Sequence, residues 1–155
     1  MAEATRRFCE SVLTAEQKGF LRDLPLYARR EVDGARFLLC HATPSNPLYE
    51  YCPPDSPLWE AEARAADADV VLVGHTHLPF VRRFGARVVA NPGSLGQSKA
   101  GRPEACYAVW KDGSLELKSI PYAVEKTVAK LDAMVPADDI RRDLITVLRT
   151  GAVPR

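Results

Sequence analysis

The chain has 155 residues, 46% of them apolar and 26% charged, with 12 Pro and 9 Gly, which fits one globular domain over 1–155 and speaks against disordered, fibrous or membrane classes. Lys and Arg total 21 against 20 for Asp and Glu, a formal net charge of +1, so no overall field advertises a nucleic-acid surface or an acidic membrane and any partner must be recognised locally. The longest apolar run, around Val70 to Val73, is far short of a bilayer span, and Met1 to Cys9 lacks a signal-peptide apolar core, so the expected compartment is cytoplasmic.

Along the chain, Glu3 to Leu13 sets Phe8, Val12 and Leu13 at helix-compatible spacing, the alternative being a loosely ordered tail carrying Arg6 and Arg7. A second helix is expected from Thr14, whose hydroxyl stands three residues before Gln17 as a capping box requires; Phe20, Leu21 and Leu24 form its apolar face and Pro25 closes it. Tyr27 to Val32 and Ala35 to Cys40 flank Asp33-Gly34, the composition of a type I′ turn, and predict a β-hairpin. Ala42 to Pro57 carries five prolines (Pro44, Pro47, Pro53, Pro54 and Pro57) with Tyr49 and Tyr51, so it reads as a long surface loop, a kind of segment that is usually functional. Leu58 to Ala66 predicts a short helix, and Asp69 to Gly74 a central strand covered on both faces. Hairpins are expected for Phe80 to Phe84 with Arg87 to Ala90, and for Cys106 to Lys111 with Ser114 to Ile120. Two helices, Val124 to Met134 and Ile140 to Leu148, follow on either side of Pro136, with Asp138 and Asp139 at the positive end of the second. Cys9, Cys40, Cys52 and Cys106 form no C-x-x-C pair and read as reduced packing residues.

Chemistry concentrates at strand ends. There are only three histidines, and two of them, His75 and His77, follow the apolar run at Gly74-His-Thr-His-Leu-Pro79. In extended backbone, residues two apart point the same way, so both imidazoles would serve one small region beyond the carboxyl ends of the strands. His41 repeats that setting directly after Phe37 to Cys40, and the three together point to metal ligation. The plain alternative is a set of loop-edge histidines that only make hydrogen bonds; Gly74, Pro79 and the matching position of His41 favour the metal.

Asn91-Pro-Gly-Ser94, continuing to Gln97, reads as a tight turn whose Asn91 and Ser94 side chains either face an anion or brace a neighbouring loop, a simple turn being the ordinary reading. Lys99 and Arg102 either meet phosphate or sit on a solvated loop. A serine nucleophile has no G-x-S-x-G elbow, Cys40 and His41 as strand neighbours point to opposite faces, and no glycine-rich phosphate loop is present.

In this order, Leu39-Cys-His41-Ala-Thr-Pro44, Val73-Gly-His-Thr-His-Leu-Pro79 and Asn91-Pro-Gly-Ser94 with Gly96-Gln97 resemble the motifs of the calcineurin-like metallophosphoesterase superfamily, especially its small bacterial phosphodiesterase branch. The resemblance runs from about Phe8 to Tyr122. It implies an α/β (α+β) chain forming part of a four-layer α-β-β-α sandwich, with a hairpin-rich second sheet and flanking helices. It also implies phosphate-ester hydrolysis by a metal-bound hydroxide at a site of two divalent ions, manganese, iron, zinc or nickel. His41 and His75 would ligate one ion and His77 the other, with Gly74, Asn91 and Ser94 supporting the site or facing phosphate.

The earlier motifs of that family, D-x-H, G-D and G-N-H-D/E, are absent, so the chain resembles the C-terminal portion only, without the N-terminal metal-binding portion. Three neutral imidazoles cannot offset the mutual repulsion of two divalent ions, so zero or one ion is expected on this chain alone and its independent activity is doubtful. A missing neighbouring sheet would leave apolar surface and open edges, which predicts association with an N-terminal fragment, homo-oligomerisation or poor solubility. Two other readings stand beside this: a non-catalytic binding or scaffold remnant of the fold, and a relative of the protein-phosphatase or dinucleotide-polyphosphatase branches. The expected small molecule is a phosphate ester; Tyr49, Tyr51 and Trp59 are open between substrate wall, dimer contact and loop packing.

Overall fold

A computed structural model of the chain describes residues 2–135 and 139–154. Two helices, α1 (Ala2–Val12) and α2 (Ala15–Arg22), precede the hairpin β1 (Tyr27–Val32) and β2 (Ala35–Cys40). After the proline-rich loop come α3 (Leu58–Ala65), β3 (Val70–Leu72), β4 (Phe80–Phe84) and β5 (Arg87–Asn91). The chain then forms the ribbon β6 (Glu104–Lys111) and β7 (Ser114–Pro121) and the helices α4 (Val124–Met134) and α5 (Asp139–Thr150).

The turns obey their residues. Asp33 and Gly34 both take positive φ, 51° and 77°, and so do Asp112 and Gly113, 49° and 74°, as two-residue type I′ turns require. At Gly85-Ala86 only the glycine does, with φ 64°, the II′ pattern.

Five strands form one mixed sheet in the order β1-β2-β3-β5-β4. Its middle three strands are parallel and its two ends are closed by hairpins. The expected central strand is indeed central: Val70, Val71 and Leu72 pair with Phe37, Leu38 and Leu39 on one side and with Val88, Val89 and Ala90 on the other. The register sorts the core into two faces, because neighbours across the sheet point the same way. Leu38, Val71 and Val89 face Trp59, Ala63 and Cys52. Phe37, Val70 and Val88 face the other way, toward Trp110 of β6, whose ring meets Phe37 edge-on at 5.1 Å. The second sheet is thus a single two-stranded ribbon; the hairpin of residues 80–91 joins the first sheet, because its apolar β5 runs parallel to β3.

Ion pairs and caps lock the edges. The Arg36 guanidinium reaches Asp69 at 3.1 Å and Asp67 at 2.6 Å, which joins the starts of β2 and β3, and Arg87 donates to the last carbonyls of α3, those of Ala63 and Arg64, at 3.1 and 2.6 Å. At the other end of the chain, Arg149 makes a two-pronged pair with Glu125 that clasps α5 to α4. Gly151 ends α5 at φ 66°, where a Cβ would fall 2.4 Å from the Arg102 carbonyl oxygen.

The Thr14–Gln17 capping box forms as expected, with reciprocal bonds of 3.2 and 2.9 Å. The apolar face it launches is uncovered: no residue of α2 is buried, and Phe20 is 67% exposed. Pro25 lies beyond the real end of that helix, which is capped at Asp23. The expected Pro136 break and the Asp138 charge lie outside the described residues. All four cysteines are free, and no helix among the described residues is long and apolar enough to cross a membrane.

Candidate active site at the strand ends

Because β2, β3 and β5 run parallel, the segments that leave their carboxyl ends emerge along one edge of the sheet. They deliver His41, the Gly74-His-Thr-His77 segment and Asn91 to the same neighbourhood. His41 Nε2 lies 2.9 Å from His75 Nδ1, with the rings 4.8 Å apart and steeply inclined. Gly74 holds the two segments together: its N–H donates to the His41 carbonyl at 2.9 Å, and a Cβ there would stand 3.4 Å from that same oxygen.

The backbone of this segment differs from the sequence expectation. It is not extended: His75 and His77 both occupy the left-handed region, with φ 62° and 60°, and the Thr76 N–H turns back onto the Gly74 carbonyl at 2.7 Å. Two side-chain-bearing residues in that region cost roughly 1–2 kcal/mol each and persist only where their surroundings dictate the conformation. Asn91, fully buried, supplies that constraint. Its Nδ2 donates to the Gly74 carbonyl at 2.6 Å and to Thr76 Oγ1 at 3.1 Å, while its Oδ1 accepts from the Gly93 N–H at 2.8 Å.

Of the two options open for Asn91, facing an anion or bracing a loop, its amide is engaged in the second. Ser94 is engaged likewise: its Oγ accepts from the Gln97 N–H at 2.9 Å and its carbonyl from Cys106 at 2.9 Å. Gly93, with φ 92°, must be glycine, because a Cβ there would meet the Cys106 Cβ at 2.8 Å.

His77 takes a different partner from the other two. Its Nδ1 lies 2.7 Å from the Gln97 carbonyl oxygen, which can only accept, so Nδ1 carries the proton and Nε2 keeps its lone pair for a ligand. Burial pushes the His75 pKa below the ordinary imidazole value, helped by the charges of His41, Lys99 and His77. Burial does the same at His77, opposed by the Gln97 carbonyl and helped by Lys99 and His41. Both rings are thereby held neutral near pH 7, the form that binds metal ions.

Among the described residues, no group of three or more His, Cys, Asp or Glu side chains is arranged to hold a metal ion. The three imidazoles therefore do not form the single converging set that an extended backbone at residues 75–77 would make; two touch and the third is oriented by Gln97. Two nitrogens each about 2.0–2.1 Å from one tetrahedral metal stand about 3.3 Å apart, so the 2.9 Å contact of this pair is the spacing of a hydrogen bond, and the rings would part by a few tenths of an ångström to admit an ion. What the described residues do not bring to that pair is a carboxylate ligand.

Two participants were not placed at the site by the sequence, Thr76 with no reading at all and Tyr51 with its role open between substrate wall, dimer contact and loop packing. Thr76, buried between the histidines, is the hydroxyl that Asn91 holds, and its only signal is its place inside the H-x-H segment. Tyr51 brings its ring edge-on to His75 at 6.0 Å. The loop bearing it is anchored below by Ser45, whose N–H donates to the buried Glu62 at 2.9 Å, and by Trp59 Nε1, which donates to the Pro53 carbonyl at 2.8 Å.

Known proteins share this fold. A metallophosphoesterase from Sphaerobacter thermophilus has a crystal structure that superposes with a TM-score of 0.75 at 25% identity, over 90% of this chain and 64% of its own. A hypothetical protein from Pyrococcus horikoshii OT3 shares the fold with a TM-score of 0.72 at 23% identity, over 90% of this chain and 56% of that one. An uncharacterized protein of Methanocaldococcus jannaschii is 28% identical in an alignment 140 residues long that covers 79% of this chain and 56% of that protein. The chain thus spans a little over half to just under two thirds of the length of these relatives. With the calcineurin-like phosphoesterase superfamily domain matched over residues 9–112, and with a mixed sheet, a second small sheet and helices arranged as in a metallophosphoesterase, the chain belongs to the calcineurin-like phosphoesterase superfamily.

Proposed function

We propose that this chain carries the histidine half of a metal-dependent phosphoesterase centre acting on phosphate esters in a phosphodiesterase-like manner. The observation that carries the reading is the His41–His75 contact at 2.9 Å, set at the ends of adjacent parallel strands by Gly74 and Asn91. His41 and His75 would hold one divalent ion, and His77, through the nitrogen that Gln97 leaves free, would serve a second. Such an ion, when bound, supplies Lewis-acid stabilisation of the charge that develops on a phosphoryl oxygen. The chain's own residues orient the ligands: Asn91 and Gly74 hold the left-handed turn, and Gln97 sets the His77 tautomer.

The charged ligands of a complete centre come, in this reading, from polypeptide beyond these 155 residues, either the remainder of a longer chain or a separate amino-terminal fragment. Homo-oligomerisation is the other route to covering the exposed α2 face. A cytoplasmic setting suits the four free cysteines. Absence of a carboxylate beside the histidines, among the described residues, favours a second reading, a non-catalytic remnant that binds one ion or none.

Zinc and manganese titration of the full chain, followed by turnover of a chromogenic phosphodiester with added manganese, tests both readings. The phosphoesterase reading expects metal uptake that weakens at least tenfold in His75→Ala and in His41→Ala, since each removes a ligand. Unchanged uptake in both variants defeats it. Turnover abolished by His75→Ala excludes the remnant.

A further inference from the structure

Helix α3 buries Trp59, Glu62 and Ala63, and of these Glu62, only 4% exposed, is the one whose burial needs a reason. A carboxyl group is rarely buried to that degree without partners, because donors must replace the water it gives up. One residue supplies them: the Ser45 N–H donates to Glu62 Oε2 at 2.9 Å and the Ser45 hydroxyl donates to Oε1. No other hydrogen bond or ion pair involves Glu62 among the described residues. A side chain buried at that cost to hold one serine fixes whatever the serine carries.

Ser45 stands four residues after His41, and the segment between them is a closed turn. The Ala42 N–H donates to the Pro47 carbonyl at 2.9 Å, the Thr43 N–H to the Asn46 carbonyl at 3.3 Å, and the Asn46 N–H to Thr43 Oγ1 at 3.2 Å. Ala42 and Thr43 are buried, so the turn moves as one piece. Tyr27 of β1 holds it too, its hydroxyl donating to the Pro44 carbonyl at 2.8 Å, and Tyr27, Pro44, Ser45 and Glu62 line one cavity of about 480 Å³. His41 is thus fixed by Gly74 at its own carbonyl and by Glu62 through the turn. The tolerance is small: a shift of about 0.5–1 Å takes a contact of 2.9 Å, such as that of His41 with His75, out of hydrogen-bond range.

We infer that Glu62 is a positioning residue of the histidine pair: through Ser45 and the turn of residues 42–47 it sets the place of His41 against His75. Trp59, one helical turn earlier on the same face of α3, donates its Nε1 to the Pro53 carbonyl at 2.8 Å and fastens the far end of the same loop. One helix therefore holds the loop at both ends, and Glu62 holds the end that begins with His41. The inference rests on the reading of His41 and His75 as metal ligands for its consequence, and goes beyond it in assigning a residue outside the ligand set.

With only three histidines in the chain, nitrogen-15 labelling of histidine reports each ring separately. Metal-free spectra and zinc titrations of the full chain, as wild type, Glu62→Gln, Glu62→Met and Ser45→Ala, test the inference. Glutamine keeps both contacts, its oxygen accepting from the Ser45 N–H and its amide donating to the hydroxyl, and is expected to retain the wild-type ring signals and zinc affinity. Methionine fills a similar volume without an acceptor. It is expected to move the ring nitrogens of His41 and His75 toward free-imidazole values and to leave those of His77, which Gln97 holds, in place. Zinc uptake is expected to weaken about tenfold, as it does when an outer partner of a ligand is lost. Ser45→Ala, which keeps the N–H and loses the hydroxyl, gives the same pattern at smaller amplitude.

Unmoved His41 and His75 signals in Glu62→Met, or in Ser45→Ala where Glu62→Met does not fold, overturn the inference and leave Glu62 a fastening of the loop alone. So does an equal displacement of all three rings, the mark of general loosening, or a Glu62→Gln that behaves like Glu62→Met, which assigns the effect to charge. The metal-free spectra separate these outcomes from failure of the metal reading. Ring signals that move as expected in a chain that takes up no zinc sink the metal site alone; zinc uptake that needs His41 and His75 but not Glu62 sinks the positioning role alone.

Discussion

In the loops that leave β3 and β5, polar groups are consumed inside the protein: one buried asparagine engages Gly74, Thr76 and Gly93, and both flanking histidines adopt a backbone that few side-chain-bearing residues tolerate. In α2 the situation is reversed. Its capping box is complete and its backbone is regular, yet Phe20 and Leu21, with Leu24 just past its end, stand in solvent. One region is locally strained and globally determined; the other is locally well formed and globally unpartnered. The difference shows that good local signals specify a helix without specifying what covers it, whereas local preference at a strand end is overridden when enough buried bonds converge on it.

The comparison breaks most readily at Asn91. Asn91→Ala leaves the Gly74 carbonyl, the Thr76 hydroxyl and the Gly93 N–H without their partner, and is expected to destabilise the chain by about 3 kcal/mol in urea denaturation. A loss below about 1 kcal/mol would show that the turn stands without its brace. Gly93→Ala comes next. Its positive φ and the 2.8 Å approach to Cys106 predict a loss of about 2 kcal/mol, read as a lowered midpoint with unchanged slope.

Thr14→Ala, in the exposed helix, removes one side of the capping box and is expected to cost about 1 kcal/mol of local helix stability, seen as faster amide exchange at residues 15–17 while the sheet is unaffected. Phe20→Ser should change unfolding free energy by less than about 0.5 kcal/mol, as surface substitutions do. Its effect belongs to association: sedimentation velocity is expected to show less self-association than wild type, and an unchanged distribution would mean that this face is not what brings copies together.

A pH test extends the contrast to the sheet and the amino-terminal helices, through the thiols of Cys40 in β2 and Cys9 in α1. Burial, with Glu62 nearby, pushes the Cys40 thiol up to about 11 from 9.0. Its folded-state value is the higher one, so the stabilisation is complete below pH 9 and is lost as pH rises through about 11. At pH 8 iodoacetamide should label the exposed Cys9 of α1 well before Cys40, and equal labelling would mean that β2 opens as readily as the helices.

Much of the fold was legible because it depends on short-range chemistry. Asp33-Gly34 and Asp112-Gly113 demand positive φ at both positions, the Thr14 hydroxyl meets a backbone amide three residues away, and an uninterrupted Val-Val-Leu run must be covered on both faces. That His41 and the Gly74-His-Thr-His77 segment come to the same end of the sheet was legible for the same kind of reason, since each follows an apolar strand. The left-handed turns at His75 and His77 were not, because histidine has no local reason to adopt them. Nor could Tyr51, among five prolines and a second tyrosine, be singled out before the loop was folded onto His75.

By itself, then, the order of residues determined the turns, the helix starts, the central strand and the family to which the histidine motifs belong, because each rests on contacts within a few positions or on motifs in a set order. Tertiary structure decided which two of the three imidazoles touch, which loop they lean on and which apolar face stays bare. Those outcomes depend on packing between segments far apart in the chain, where a buried hydrogen bond or an uncovered helix face outweighs any neighbour's preference.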